Sequence, residues 1–219
     1  MVTGAGRAFC AGIDMSSGAT AAEDTVPQDL LEEKASTAKL FFSLRKPVIA
    51  AYNGAAIGVG LTMTLPFDIR IAAESARLSL AFVRRGLLPE LACPWLLPKI
   101  IGISRAAELM YTGRTLTAVE ALDFGLVSRV VPDGELMPAA LELAREIAEN
   151  CSPLSVSLTK KMLYDFLAET DVEKAEKTNH RYLDWIMTQP DVVEGIMSFM
   201  QKRKPEWTGK VPGDLPDLD

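Results

Sequence analysis

The stretch NGAAIGVGLTMTLPFDIRIAAESARL, residues 53–78, is built around a turn at Gly58-Val59-Gly60. Before it runs PVIAAY, residues 47–52, a short apolar run that reads as a buried strand. After the turn come an almost uncharged apolar segment, read as a short helix, and DIRIAA, residues 68–73, read as a second strand. Strand, helix and strand joined by short turns imply parallel strands with right-handed crossovers. Glycine weakens a helix start, so two glycines there mark a place where the backbone must come close to something.

Outward from this stretch, GAGRAFCAGIDMSSGATAAED, residues 4–24, is rich in glycine and small residues and reads as loop. Leu30, Leu31, Leu40, Phe41 and Leu44 recur at roughly helical spacing, and that pattern stops before Pro47. Beyond Ser79 the pattern is helical. PWLLPKIIG, SRAAELMYTG and TAVEALDFG each end at glycine, as helices often do. LVSRVV, residues 126–131, reads as one more strand, and from Gly134 to about Lys204 the chain is nearly all helix. The proline- and acid-rich end, residues 205–219, reads as an extended tail. MVTGAG reads as the end of a strand, which predicts that further strands precede the first residue.

The 219 residues suffice for one substantial core with a helical appendage. A hydrophobic fraction of 48% and a charged fraction of 24% are ordinary for a water-soluble globular protein. The net charge of −6 argues against general nucleic-acid binding but leaves room for a small polyanion held by local cations. Cys10, Cys93 and Cys151 are too few and scattered for a disulfide framework or a zinc site. No apolar run reaches membrane-spanning length and no signal peptide precedes the first motif, so a cytoplasmic, membrane-free location is expected.

Elimination narrows the chemistry. The only histidine, His180, lies in the charged helical stretch EKTNHRY, far from any nucleophile elbow, and reads as a helix-surface residue. No cluster has metal-ligand spacing, so no metal is expected. GAGRAF, residues 4–9, has Phe9 where a dinucleotide fingerprint needs its third glycine, and no helix obviously follows. Backbone donors and carboxylates remain. The amides that open the helix after Gly58 point outward, and a second glycine turn, Ala11-Gly12-Ile13-Asp14, offers another free N–H. Two such donors converging on one oxygen would form an oxyanion hole, each worth roughly 3 kcal/mol of transition-state stabilisation. Spacing alone leaves equally open that both glycine pairs simply make tight turns.

At this point the residues carry a resemblance. TGAGRAFCAGID (3–14), KPVIAAYNGAAIGVGLTMTLPFDIRIAAESARLSL (46–80) and GISRAAELMYTGRTLTAVEALDFGLVSRVV (102–131) together resemble the crotonase, or enoyl-CoA hydratase/isomerase, superfamily. The resemblance implies an α/β fold with a ββα spiral core over residues 1–133, lacking its N-terminal strands, and a helical trimerisation region over 134–204. It also implies acyl-CoA thioester substrates, no cofactor beyond the CoA of the substrate, and a homotrimer or hexamer. In the family, the N–H after the AG turn and the N–H of the middle residue of the GxG turn hold the thioester oxygen. Here those are Ile13 and Val59, with Ala11, Gly12, Gly58 and Gly60 letting the substrate approach. Arg7 matches a basic residue near the CoA phosphates. FMQKRKPEW resembles the segment whose aromatic and lysine approach the adenine, which points to Phe199 and Lys202.

The same alignment bears on the reaction. Hydratases of the family use two glutamates, and their positions hold Thr62 and Phe82 here, neither of them acidic. Glu90, in GLLPELACPW, matches the single catalytic carboxylate of 3-enoyl-CoA to 2-enoyl-CoA isomerases. Its neighbours Leu87, Leu88, Leu91 and Ala92 predict a desolvated carboxylate suited to proton shuttling. An enoyl-CoA isomerase is therefore the leading expectation. A hydratase that uses Glu90 to position water, and an inert CoA-binding or assembly protein, are the alternatives. Asp14 and Asp68 read as loop caps, and Cys93 as a small pocket-lining residue.

Overall fold

The computed structural model describes residues 1–14 and 36–216. It divides into two compact units, residues 1–41 with 48–140, and residues 42–47 with 141–219. Leu30 and Leu31 of the expected early helix lie outside the described residues. Helix α1 covers Thr37–Ser43, so it ends just before Leu44.

The first unit holds two sheets. The larger has strand order β1 (Val2–Thr3), β2 (Ile49–Tyr52), β4 (Ile69–Ala73) and β7 (Arg129–Val131), all parallel. Its centre is β2, where every residue is buried, as a near-continuous apolar run in a parallel sheet requires. The register Ile49↔Ile69 to Tyr52↔Ala72 aligns β2 with β4. Asp68 secures the start of that pair by accepting from the Val48 N–H at 2.6 Å, so it is structural as expected. Tyr52 is fully buried, and its hydroxyl bonds the Thr64 hydroxyl at 2.5 Å. Burial pushes its phenol up, against the opposing pull of Arg70 and of Thr64. Arg70 gives its guanidinium to the Leu126, Leu65 and Phe67 carbonyls, tying β4 to the loops on either side.

The smaller sheet has order β3 (Ala56–Ile57), β5 (Arg77–Ser79), β6 (Thr115–Thr117). Here the expectation of helix throughout the stretch after Ser79 is corrected, because β6 is a strand and pairs antiparallel with β5. At three residues it is too short to show a period, and Thr117 also caps the next helix. Helix α2 (Val59–Thr62) follows β3 directly. Helices α3 (Cys93–Ile101), α4 (Ile103–Thr112) and α5 (Ala118–Asp123) complete the connections to β7. Thr117 and Glu120 form a capping box at α5, in which each side chain bonds the other residue's backbone N–H. The Thr117 N–H and the Arg114 guanidinium hold the Glu120 carboxyl down at about 2.

The second unit is helical. It contains most of α6 (Leu136–Asn150), then α7 (Pro153–Asp165), α8 (Val172–Ile186) and α9 (Pro190–Gln201). The segment after α9 is tied down rather than free. Buried Asp191, in the first turn of α9, accepts from the Ser152 hydroxyl at 2.6 Å and from the Thr208 and Gly209 N–H groups at 3.0 and 3.1 Å. Despite the opposing effect of burial, these donors hold its carboxyl below the usual aspartate value. Phe42 stacks on Tyr164 with ring centroids 4.2 Å apart. His180 is exposed on α8, in agreement with its surface reading.

Candidate active site

The two glycine turns are held side by side by backbone pairing. Cys10 forms a parallel bridge with Ala56. Its N–H donates to the Ala55 carbonyl at 3.0 Å, and its carbonyl accepts from the Ile57 N–H at 2.9 Å. Three residues further along each paired segment stand Ile13 and Val59. Asn53 steadies the start of the first loop, accepting from the Gly4 N–H at 2.9 Å and donating to the Gly6 carbonyl at 2.8 Å. That clamp has no motif signal in the sequence beyond the asparagine that ends the PVIAAY run.

Gly58 sits at φ 57° and ψ −121°, a conformation essentially reserved for glycine. Its N–H is engaged by the Ser79 carbonyl at 2.8 Å, and its own carbonyl accepts from Leu61 and Thr62. The chain thereby turns so that the next amide, Val59, opens α2. Gly60 is required for another reason, since any Cβ there would meet the Cys10 carbonyl oxygen and side chain. Neither the Ile13 nor the Val59 N–H has an acceptor among the described residues. With four residues, α2 contributes little dipole, so the local amides carry the attraction for an anion.

Ala11, Gly12, Ile13, Gly58 and Val59 line one cleft of about 100 Å³, so both expected donor turns meet there. Gly60 is buried just behind it against Cys10. The opposite wall comes from Ala81, Phe82, Arg85 and Leu87. Among the described residues, no acidic side chain lines this cleft. Thr62 is completely buried, and Phe82 presents a ring edge 3.8 Å from where a Gly58 Cβ would stand. The positions aligned with hydratase glutamates thus hold a buried hydroxyl and an aromatic wall. Reading the sequence for catalytic types missed Arg85 as a wall residue; the adjacent cations in FVRRGLL were the available signal.

Glu90 lies in the loop before α3, exposed and outside the lining of the cleft. The expected desolvation by Leu87 and Leu88 is corrected, because those side chains are 50% and 83% exposed. Leucines beside a residue in sequence do not bury it where the whole loop runs along the surface. The backbone there is nevertheless strained. Leu91 and Ala92 have φ of 54° and 58°, and the Cys93 N–H closes the turn onto the Glu90 carbonyl at 3.0 Å. Cys93 is fully buried under this turn, and burial pushes its thiol up to about 12. It is an inert filler, lying behind the loop rather than along the cleft. Arg7 is exposed in the first loop. Phe199 and Lys202 belong to the second unit, with Phe199 85% exposed on α9 and Lys202 at its C-terminal cap with φ 53°.

A profile of the enoyl-CoA hydratase/isomerase family matches residues 1–210. The chain belongs to that family. It is 41% identical over 207 residues to the enoyl-CoA hydratase ACTT3 of Alternaria alternata, covering 94% of this chain and 69% of the relative. It is 35% identical over 219 residues to the 1,2-epoxyphenylacetyl-CoA isomerase of Escherichia coli (strain K12), covering 96% of this chain and 80% of that one. Among solved structures, the enoyl-CoA hydratase of Bacillus anthracis superimposes with a TM-score of 0.84 at 35% identity, over 95% of this chain and 80% of that one. The crotonase fold and an enzyme of the hydratase/isomerase type follow from these matches. Among the described residues no helix is long and apolar enough to cross a membrane, and no group of three or more His, Cys, Asp or Glu side chains is placed to hold a metal ion.

Proposed function

We propose that this enoyl-CoA hydratase/isomerase family member is an isomerase that converts 3-enoyl-CoA thioesters to their conjugated 2-enoyl isomers. The thioester oxygen accepts from the Ile13 and Val59 N–H groups. Glu90 removes a proton from C2, and the electron pair spreads from C2 onto that oxygen and through the C3–C4 double bond. Returning the proton at C4 leaves the double bond between C2 and C3, so nothing is consumed. The carrying observation is that, among the described residues, the Ile13 and Val59 amides have no acceptor and the cleft they line has no carboxylate, whereas hydration would need an acid and a base there. The left-handed pair Leu91-Ala92 beside Glu90 supports the role of that residue, since such strain persists where the surroundings enforce a particular backbone.

Arg7 is proposed to meet the CoA phosphates, and Phe199 and Lys202 the adenine end. Exposed Val193, Ile196, Phe199 and Met200 on α9 support assembly into a homotrimer or hexamer. The test of the reaction is the rise of conjugated-thioester absorbance with a 3-enoyl-CoA. Glu90→Gln is expected to lower kcat by about a hundredfold or more while thioester affinity persists. A variant as active as the wild type ends the assignment to Glu90. The hydratase reading draws support from the exposure of Glu90 to water, and crotonyl-CoA hydration at the background rate excludes it.

A further inference from the structure

Among the described residues, Arg85 is the only charged one lining the cleft that holds Ile13 and Val59. The adjacent arginines of the 3₁₀ turn Val83–Arg85 have separate tasks. Arg84 points away from the cleft, its Nε donating to the Thr112 carbonyl at the end of α4 at 2.7 Å, and its stem packs near Gly113. Among the described residues Arg85 makes one bond, from a terminal nitrogen to the Ala81 carbonyl at 2.9 Å, four residues back in sequence. That bond orients the guanidinium and leaves most of its five N–H donors without an acceptor among the described residues. No carboxylate pairs with it among the described residues. An exposed guanidinium fork on a wall shared with Ala81, Phe82 and Leu87 suits a carboxylate.

We infer that Arg85 selects acyl-CoA substrates whose acyl group carries its own carboxylate. This rests on the reading of the cleft as the thioester site. The carboxylate comes from the acyl chain rather than from CoA because of reach. Arg85 shares a cleft of about 100 Å³ with the amides that take the thioester oxygen, whereas the CoA phosphates hang at the far end of the pantetheine arm. The apolar faces of Phe82 and Leu87 accommodate the methylenes between the two functional groups. Ile13, Val59 and Arg85 then fix a diacid thioester at both ends, by its carbonyl oxygen and by its distal anion.

Calorimetric titration with two unreactive saturated ligands, adipoyl-CoA and hexanoyl-CoA, tests this without requiring turnover. The wild-type protein is expected to prefer adipoyl-CoA, and Arg85→Gln to reduce that preference by about fivefold or more at low ionic strength. Arg85→Lys, which keeps the charge but not the fork, is expected to fall between them. Equal weakening of both ligands by Arg85→Gln, with adipoyl and hexanoyl esters of pantetheine unaffected, would assign the arginine to the CoA phosphates and overturn the inference. Hexanoyl-CoA bound as well as adipoyl-CoA by the wild type also overturns it. Failure of both CoA esters to bind refutes the acyl-CoA site itself, a result distinct from a missing preference.

Discussion

Gly60→Ala tests whether the spacing of the two turns matters more than the side chains on them. An added Cβ would meet the carbonyl oxygen, Cβ and Sγ of Cys10. That carbonyl cannot yield cheaply, because it accepts from the Ile57 N–H at 2.9 Å while the Cys10 N–H is held by Ala55 at 3.0 Å. The first loop must therefore be displaced from α2, carrying the Ile13 amide with it. Overpacking of this kind costs about 1–3 kcal/mol, which a domain of ordinary stability survives. Moving one oxyanion donor out of reach costs roughly 3 kcal/mol in the transition state, or about a hundredfold in kcat. Urea denaturation and steady-state isomerisation separate the two effects. Gly58→Ala is the comparison, since its Cβ would meet only the Phe82 ring at 3.8 Å. Its cost is backbone strain at φ 57°, about 1–3 kcal/mol, with no push on Cys10. A folded Gly60→Ala protein with wild-type kcat would refute the reasoning. So would a kcat loss that merely tracks the unfolded fraction.

The second unit should respond to acid through Asp191. Its folded-state carboxyl lies below the ordinary aspartate value of 3.8, so the stabilisation it gives is complete above that value and fades as pH falls through the lower, folded one. Asp191→Ala leaves the buried Ser152 hydroxyl and the Thr208 and Gly209 N–H groups without their acceptor, and is expected to cost about 2–4 kcal/mol near neutral pH. The difference between wild type and variant should shrink below pH 3.8, and a pH-independent difference would argue against the ionised carboxylate as the anchor. Cys93, buried and with its thiol pushed up to about 12, should resist iodoacetamide at pH 8 until the protein is denatured. Rapid native alkylation at that position, read by mass spectrometry, would show that the turn after Glu90 opens.

The larger sheet was legible because its signals were local and strong. PVIAAY and DIRIAA are apolar runs bounded by Pro47, Asn53 and Asp68, and they became β2 and β4 in parallel register. The resemblance singled out the two glycine turns, and the Cys10–Ala56 bridge gives their nearness a physical cause. The smaller sheet escaped, because β3 and β6 are two and three residues long and owe their pairing to partners distant in sequence. Burial around Glu90 was misread for a related reason. Leu87 and Leu88 are apolar by type, but whether they cover a neighbour depends on which way the loop turns, and Leu91 and Ala92 turn it through left-handed backbone. Arg85 was overlooked because two adjacent arginines look alike in a sequence, while only one of them faces the cleft.

The most direct test is a crystal structure with a bound enoyl-CoA or unreactive acyl-CoA thioester. The thioester oxygen should lie about 2.7–3.1 Å from both the Ile13 and the Val59 nitrogens. An oxygen held by only one of those amides, or seated elsewhere on the protein, would contradict the account.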